Sequence, residues 1–155
     1  MAVLCCGTAA AVSAAVEALP PGDIIDLARR AAATAERERT DPPTTLFAAA
    51  LDGIVGELTG WRDLHAAAIG ARYFPNEPTI VPLALALGTL TRSAHTAILL
   101  ATNIGGDSDS VASIAGGVAA AINPASVSGQ WATVVDDVNH HELVSIAEAL
   151  AILRQ

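Results

Sequence analysis

Apolar positions recur along this chain at helical rather than alternating intervals. Leu46, Phe47, Ala50, Leu51, Ile54, Val55 and Leu58 repeat at i, i+1, i+4 and i+5, the wide stripe of a helix facing a core. Ile24, Ala28, Ala31, Ala32 and Ala35 keep the same spacing. Breakers divide the remainder. The pattern predicts a first helix from Ala2 to Leu19, stopped by Pro20-Pro21-Gly22, and a second from an Asp23 cap to Arg39. A linker at Thr40-Asp41-Pro42-Pro43 leads to the Leu46–Leu58 helix, capped by Thr44 or Thr45 and ended by Thr59-Gly60. A fourth helix is expected over Trp61–Ile69, then an extended loop through Tyr73-Phe74-Pro75-Asn76-Glu77-Pro78. Helices follow over Thr79–Leu90, with Pro82 in the first turn, and from a Ser93 cap to Thr102. A loop at Gly105-Gly106 opens a helix over Asp109–Ile122, broken at Asn123-Pro124. Short helices over Val127–Val135 and His141–Leu153 finish the chain.

The sum is one all-α domain over residues 1–155, a multi-helix bundle of about eight helices with short connections. Composition agrees: the chain is rich in Ala, the best helix former, and only 3% aromatic. Charge excludes one class of partner. The net charge is −8, Lys is absent and the eight Arg are scattered, so there is no basic stripe for a phosphate backbone, and nucleic-acid binding is not expected. The apolar segment Met1–Leu19 lacks the basic flank of a signal peptide and carries Glu17, so it reads as a buried helix rather than a leader or a membrane span. Cys5 and Cys6, the only cysteines, read as small buried hydrophobes in a reducing compartment, and a cytoplasmic location is expected.

One segment carries chemistry. In Asn103-Ile-Gly-Gly-Asp-Ser-Asp-Ser110, two glycines permit a tight left-handed turn, and two carboxylates and a hydroxyl follow at a helix mouth. Asp107, Asp109 and Ser110 are hard oxygen ligands suited to Mg²⁺, Mn²⁺ or Ca²⁺ rather than zinc. The helix N-terminus favours an anion such as a diphosphate. The bland reading is also open: Asp and Ser are favoured helix caps and Gly-Gly is an ordinary turn. The segment is neither an EF-hand nor a phosphate-binding P-loop.

The stretch Ala101–Ala121 resembles the C-terminal signature of the ADP-ribosylglycohydrolase family, Asn-x-Gly-Gly-Asp-Thr-Asp-Thr followed by an Ala/Gly-rich helix. Thr79-Ile-Val-Pro82-Leu-Ala-Leu85 is similar to the family's Glu-Thr-Val-Pro-Ala-Ala-Leu helix start, with Thr79 where the family has Glu. Gln130-Trp131 resembles the aromatic after the signature, and Ala9–Leu19 a mid-chain helix. The resemblance implies hydrolysis of a glycosidic bond between ADP-ribose and an acceptor. It implies Asp107, Asp109 and Ser110 as metal ligands, Ser110 replacing the usual Thr, with Gly105 and Gly106 bringing backbone amides to the ligand. It implies Mg²⁺, or Mn²⁺ in its place, with two ions in a complete site. The family's first half adds a Thr-Asp-Asp trio that has no match here: Asp136-Asp137 follows the signature, and Thr40-Asp41 runs into Pro42. The chain thus resembles only the C-terminal half, as though truncated at its N-terminus, and the partner expected besides an ADP-ribosylated substrate is a missing N-terminal half or a self-associated copy.

A competing expectation is a non-catalytic helical interaction module, a decayed remnant of the family that pairs with itself or another chain and exposes a large apolar face where the first half would dock. A membrane-associated helical protein is the weakest alternative. No residue presents itself as a general base. His140-His141 reads as a solvated helix start, His65 and His95 as structural residues within helices, and Asp136-Asp137 as solvated or as a cap for the last helix. Trp61 and Trp131 read as core or edge packing, Trp131 also as a cleft wall, and Tyr73–Glu77 as a rim of the site or an interface.

Overall fold

The computed structural model describes residues 2–38, 46–76, 78–140 and 142–153. Among them every regular element is helical: α1 (Ala2–Val16), α2 (Pro21–Arg37), α3 (Phe47–Thr59), α4 (Ala66–Arg72), α5 (Ile80–Thr91), α6 (Ala94–Thr102), α7 (Ser108–Ile122), a 3-10 turn (Pro124–Ser126), α8 (Gly129–Asn139) and α9 (Leu143–Ile152). The all-α architecture expected from the apolar spacing is the one observed.

The centre belongs to α5. Its residues Val81 to Thr89 are all buried, and it packs on α7, α3 and α6. Thr89 satisfies its buried hydroxyl by donating to the Leu85 carbonyl at 2.7 Å, so the helix needs no polar neighbour there. The apolar body divides around α5. One cluster gathers Ile54, Leu58, Ile69, Leu83, Leu87 and Val111; the other gathers Ile24, Phe47, Leu51, Val81, Leu85 and Val118. Small residues on α7 let it lie close between α5 and α6, with Val111, Ala112, Ala115, Gly116, Val118 and Ala119 buried.

Several ends differ from expectation for local reasons. α1 stops at Val16 because Ala18 takes a left-handed conformation (φ +57°), and Leu19 N–H then bonds the Ala14 carbonyl at 3.1 Å in a Schellman-type closure. α2 starts at Pro21, two residues before the expected Asp23 cap, because a proline at the first helical position loses no bond. Thr44 and Thr45 lie outside the described residues; the N-cap of α3 is Leu46, and Glu36 of α2 accepts the Phe47 N–H at 2.6 Å. Trp61–His65 is not helical, and α4 begins at Ala66, where the Ala run starts. His65 is therefore an exposed N-cap residue rather than a helical one. Ser93 does cap α6, accepting the Thr96 N–H at 3.3 Å.

Cys5 and Cys6 are exposed, not buried. α1 turns Val3, Gly7, Ala11 and Ala14 inward, and positions 5 and 6 fall on the opposite side of that row. No helix among the described residues is long and apolar enough to cross a membrane.

Candidate functional site

The site forms where α6 gives way to α7. Ala101 is buried, and Ile104 follows it inward, its N–H bonding the Ala101 carbonyl at 3.2 Å. Gly105 and Gly106 then adopt φ values of +87° and +60°, the left-handed region that a Cβ disfavours. Gly106 is also constrained by space: a Cβ there would stand 2.7 Å from the Pro75 carbonyl oxygen. The turn rests on the Phe74-Pro75 segment, and Asp107 N–H points to the Pro75 carbonyl at a long 3.5 Å.

That shelf is itself braced. Asn76 N–H donates to Thr79 Oγ1 at 3.1 Å, and Thr79 precedes α5 directly. Residue 79, which departs from the family pattern, therefore holds the loop that supports the glycine turn. Glu77 lies outside the described residues. Sequence reasoning marked Tyr73–Glu77 as a rim but missed the Pro75 carbonyl; the signal was the Pro-Asn-Glu-Pro spacing, which fixes an extended segment without saying what it touches.

Beyond the turn, the three candidate ligands come together at the head of α7. Asp107 is the N-cap residue, yet its side chain makes no capping bond. Its Oδ1 instead accepts the Ser110 hydroxyl at 2.8 Å. Asp109, in the first turn, is exposed. Its carboxyl lies below the usual carboxylate range, first through a hydrogen bond with the Asp107 side chain and then through the backbone N–H groups of Ser110 and Asp109. Two ionised carboxylates so close in the chain repel each other, and a cation between them would relieve that repulsion. The N-terminal dipole of α7 adds positive potential at the same place. Asp107 and Asp109 are thus within reach of one another, with Ser110 beside them. Among the described residues, no group of three or more His, Cys, Asp or Glu side chains is placed to hold a metal.

The remaining candidates lie elsewhere. Asp136 and Asp137 are exposed within α8, and His140 is the left-handed residue that ends it. His141 lies outside the described residues. His95 on α6 stacks on Trp131 with ring centroids 4.8 Å apart, which makes Trp131 an edge contact. Trp61 is half-buried against the core.

Tyr73 lines a cleft of about 250 Å³ that it shares with Gly53, Glu57, Arg72 and Thr79. Arg72 donates two bonds to Glu57, at 2.8 and 2.9 Å, and covers the tyrosine ring at 5.1 Å. Burial pushes the Tyr73 phenol up to about 12, aided by the Glu57 carboxylate and opposed by Arg72. Tyr73 is the only tyrosine, so ultraviolet absorbance should read its ionisation directly. We expect tyrosinate to appear near pH 12 in the folded chain and near pH 10 in urea. Because the folded value is the higher, the associated stability is complete below pH 10 and is lost as pH rises toward 12. Ionisation near pH 10 in the folded chain would contradict this burial.

The fold and the loop together define an all-α protein whose buried helix presents two acids and an alcohol at its mouth. A family model described as ADP-ribosylglycohydrolase matches residues 1–155. The chain belongs to the ADP-ribosylglycohydrolase family, and its class is that of glycohydrolases. No curated protein and no solved structure matches it.

Proposed function

We propose that the chain contributes part of a Mg²⁺-dependent site that hydrolyses the glycosidic bond between ADP-ribose and an acceptor, a protein side chain or a small molecule. The observation that carries this is the convergence of Asp107, Asp109 and Ser110 in the chain's family-signature loop, with the Asp107 carboxylate free of capping duty. Asp107, Asp109 and Ser110 would hold the ion, and Mn²⁺ fits the same oxygens.

When bound, the ion supplies orientation of the ribose hydroxyls and polarisation of a water. The chain's own groups do the rest. The two carboxylates place negative charge near an oxocarbenium-like anomeric carbon. Ser110, by donating to Asp107, fixes the direction of that carboxylate's free lone pairs. The N–H groups at Gly105 and Gly106, with the positive end of α7, suit the diphosphate. Mg²⁺ requires six oxygens, and this trio gives three. The others fall to water, to substrate, and to acidic ligands such as the family's Thr-Asp-Asp trio from outside this chain, which would also complete a two-ion site.

The test supplies that acidic half from a longer family member in trans and follows release of ADP-ribose from an ADP-ribosylated acceptor. The expected result is release that requires Mg²⁺ and is lost in Asp109→Ala. Absence of release, or release indifferent to a chelator, would contradict the proposal.

A further inference from the structure

The chain's last two helices stand apart from its core. Every described residue from Gly129 to Leu153 is exposed. The arm is tied to the bundle at its base, where Trp131 stacks on His95 of α6. Beyond that point, neither α8 nor α9 packs along another helix, nor do they pack along each other.

Yet both helices are built for burial. In α8, Trp131, Val134, Val135 and Val138 fall at i, i+3, i+4 and i+7; in α9, Leu143, Ile146, Ala147 and Leu150 do the same. These stripes lie in water, with Val138 71% and Leu150 62% exposed. Ten large apolar side chains between Trp131 and Leu153 are open. Together they leave on the order of 1,000 Å² of surface uncovered, against roughly 800 Å² per partner in a stable protein interface. A monomeric soluble protein seldom keeps so large an apolar patch.

We propose that this arm is a dimerisation element, covered by the same arm of a second copy of the chain. Length and charge select that occupant. The stripes of α8 and α9 match, on helices of 11 and 10 residues, so each is the natural cover for the other. Within one copy α8 and α9 do not pack on each other, so neither stripe is covered by the other. Laying α8 of one copy on α9 of the other, and the reverse, satisfies all four stripes around a twofold axis and makes a closed four-helix layer. Asp136, Asp137, Glu142 and Glu148 sit off both stripes, so this contact keeps the acids in water. No described residue of the arm is Lys or Arg, which leaves nothing to pair with an acidic or anionic partner.

Sedimentation velocity of the full chain over a concentration series tests this. The expected species has twice the chain mass. Val138→Asp combined with Leu150→Asp should raise the dissociation constant at least about a hundredfold, because each buried carboxylate would lack a partner. Neither side chain belongs to the core, so the variant should keep its helical circular dichroism. In the unaltered chain, amide exchange over residues 130–152 should slow as concentration rises. A monomer throughout the series with fast exchange in the arm would assign the surface to a different partner and overturn the proposal. A dimer indifferent to the double substitution would overturn it as well.

Discussion

Gly70→Ala is expected to lower folding stability by about 3 kcal/mol, the upper end of what overpacking a core costs, or roughly 10 °C in Tm. Gly70 is buried in α4, and an alanine methyl there would overlap the Ile104 carbonyl oxygen and press on its Cγ2 at 3.1 Å. The helix cannot readily retreat, because Ile69 and Tyr73 on either side are themselves in the core. The strain should also reach the site, since Ile104 directly precedes Gly105-Gly106. We therefore expect weaker cation binding as well as earlier melting. Gly117→Ala is the matched control. Gly117 lies on the exposed side of α7 with open space where the methyl would go, so the better helix former should add up to about 1 kcal/mol. Urea or thermal unfolding of the two variants reads opposite signs. A Gly70→Ala protein as stable as the parent would show that α4 does not press on the site turn.

The second large effect concerns the residues proposed as ligands. Asp107→Asn keeps the side-chain shape but removes a charge and leaves Asp109 beside an amide. Changes in groups that merely support metal ligands already cost ten- to a hundredfold in affinity, so if Asp107 binds the ion as proposed its loss should weaken Mg²⁺ by at least about a hundredfold. Ser110→Ala removes a neutral oxygen and the bond that steers Asp107, and should cost about tenfold. Asp136→Ala, on the exposed arm, should cost nothing. The order Asp107→Asn, Ser110→Ala, Asp136→Ala is the signature of the loop. Equal effects across the three would mean that diffuse acidic charge attracts the cation.

Much of the fold could be read from residue spacing, because helices announce themselves through one face. The stripe of α3 gave its buried residues Phe47, Leu51, Ile54 and Leu58, and only Leu46, the residue just before the helix, proved exposed. Ser93 was identifiable as a cap because a short hydroxyl before an apolar run has one obvious use. Errors arose where tertiary contact outranked local preference. Trp61 and Leu64 pack on the core from a non-helical segment, so apolar residues there did not signal a helix. Largely apolar α1, with Thr8 and Ser13 its only polar side chains, had no polar face to reveal which side was out, and Cys5 and Cys6 were assigned inward. For α8 and α9 the stripes were legible but their neighbours were not, because a pattern states that a face seeks cover and not whether one chain provides it.

At the candidate site, Asp107, Asp109, Ser110 and the two glycines stood out because they share one continuous segment. What that segment could not reveal was the shelf. Phe74 and Pro75 reach the glycine turn across a long stretch of intervening chain, through a backbone carbonyl, and carbonyls carry no sequence signature. Thr79 looked like a departure from the family pattern, and its bonds to Asn76 became visible only in three dimensions.

Calorimetric titration of Mg²⁺ into the full chain, alongside Asp109→Ala, addresses the central claim most directly. The account predicts saturable heat in the parent and its disappearance in the variant, while the metal-free variant keeps the parent's helical circular dichroism because Asp109 is exposed. Identical heats in both proteins would contradict it, leaving the acids at the head of α7 as solvated charge on a helical scaffold.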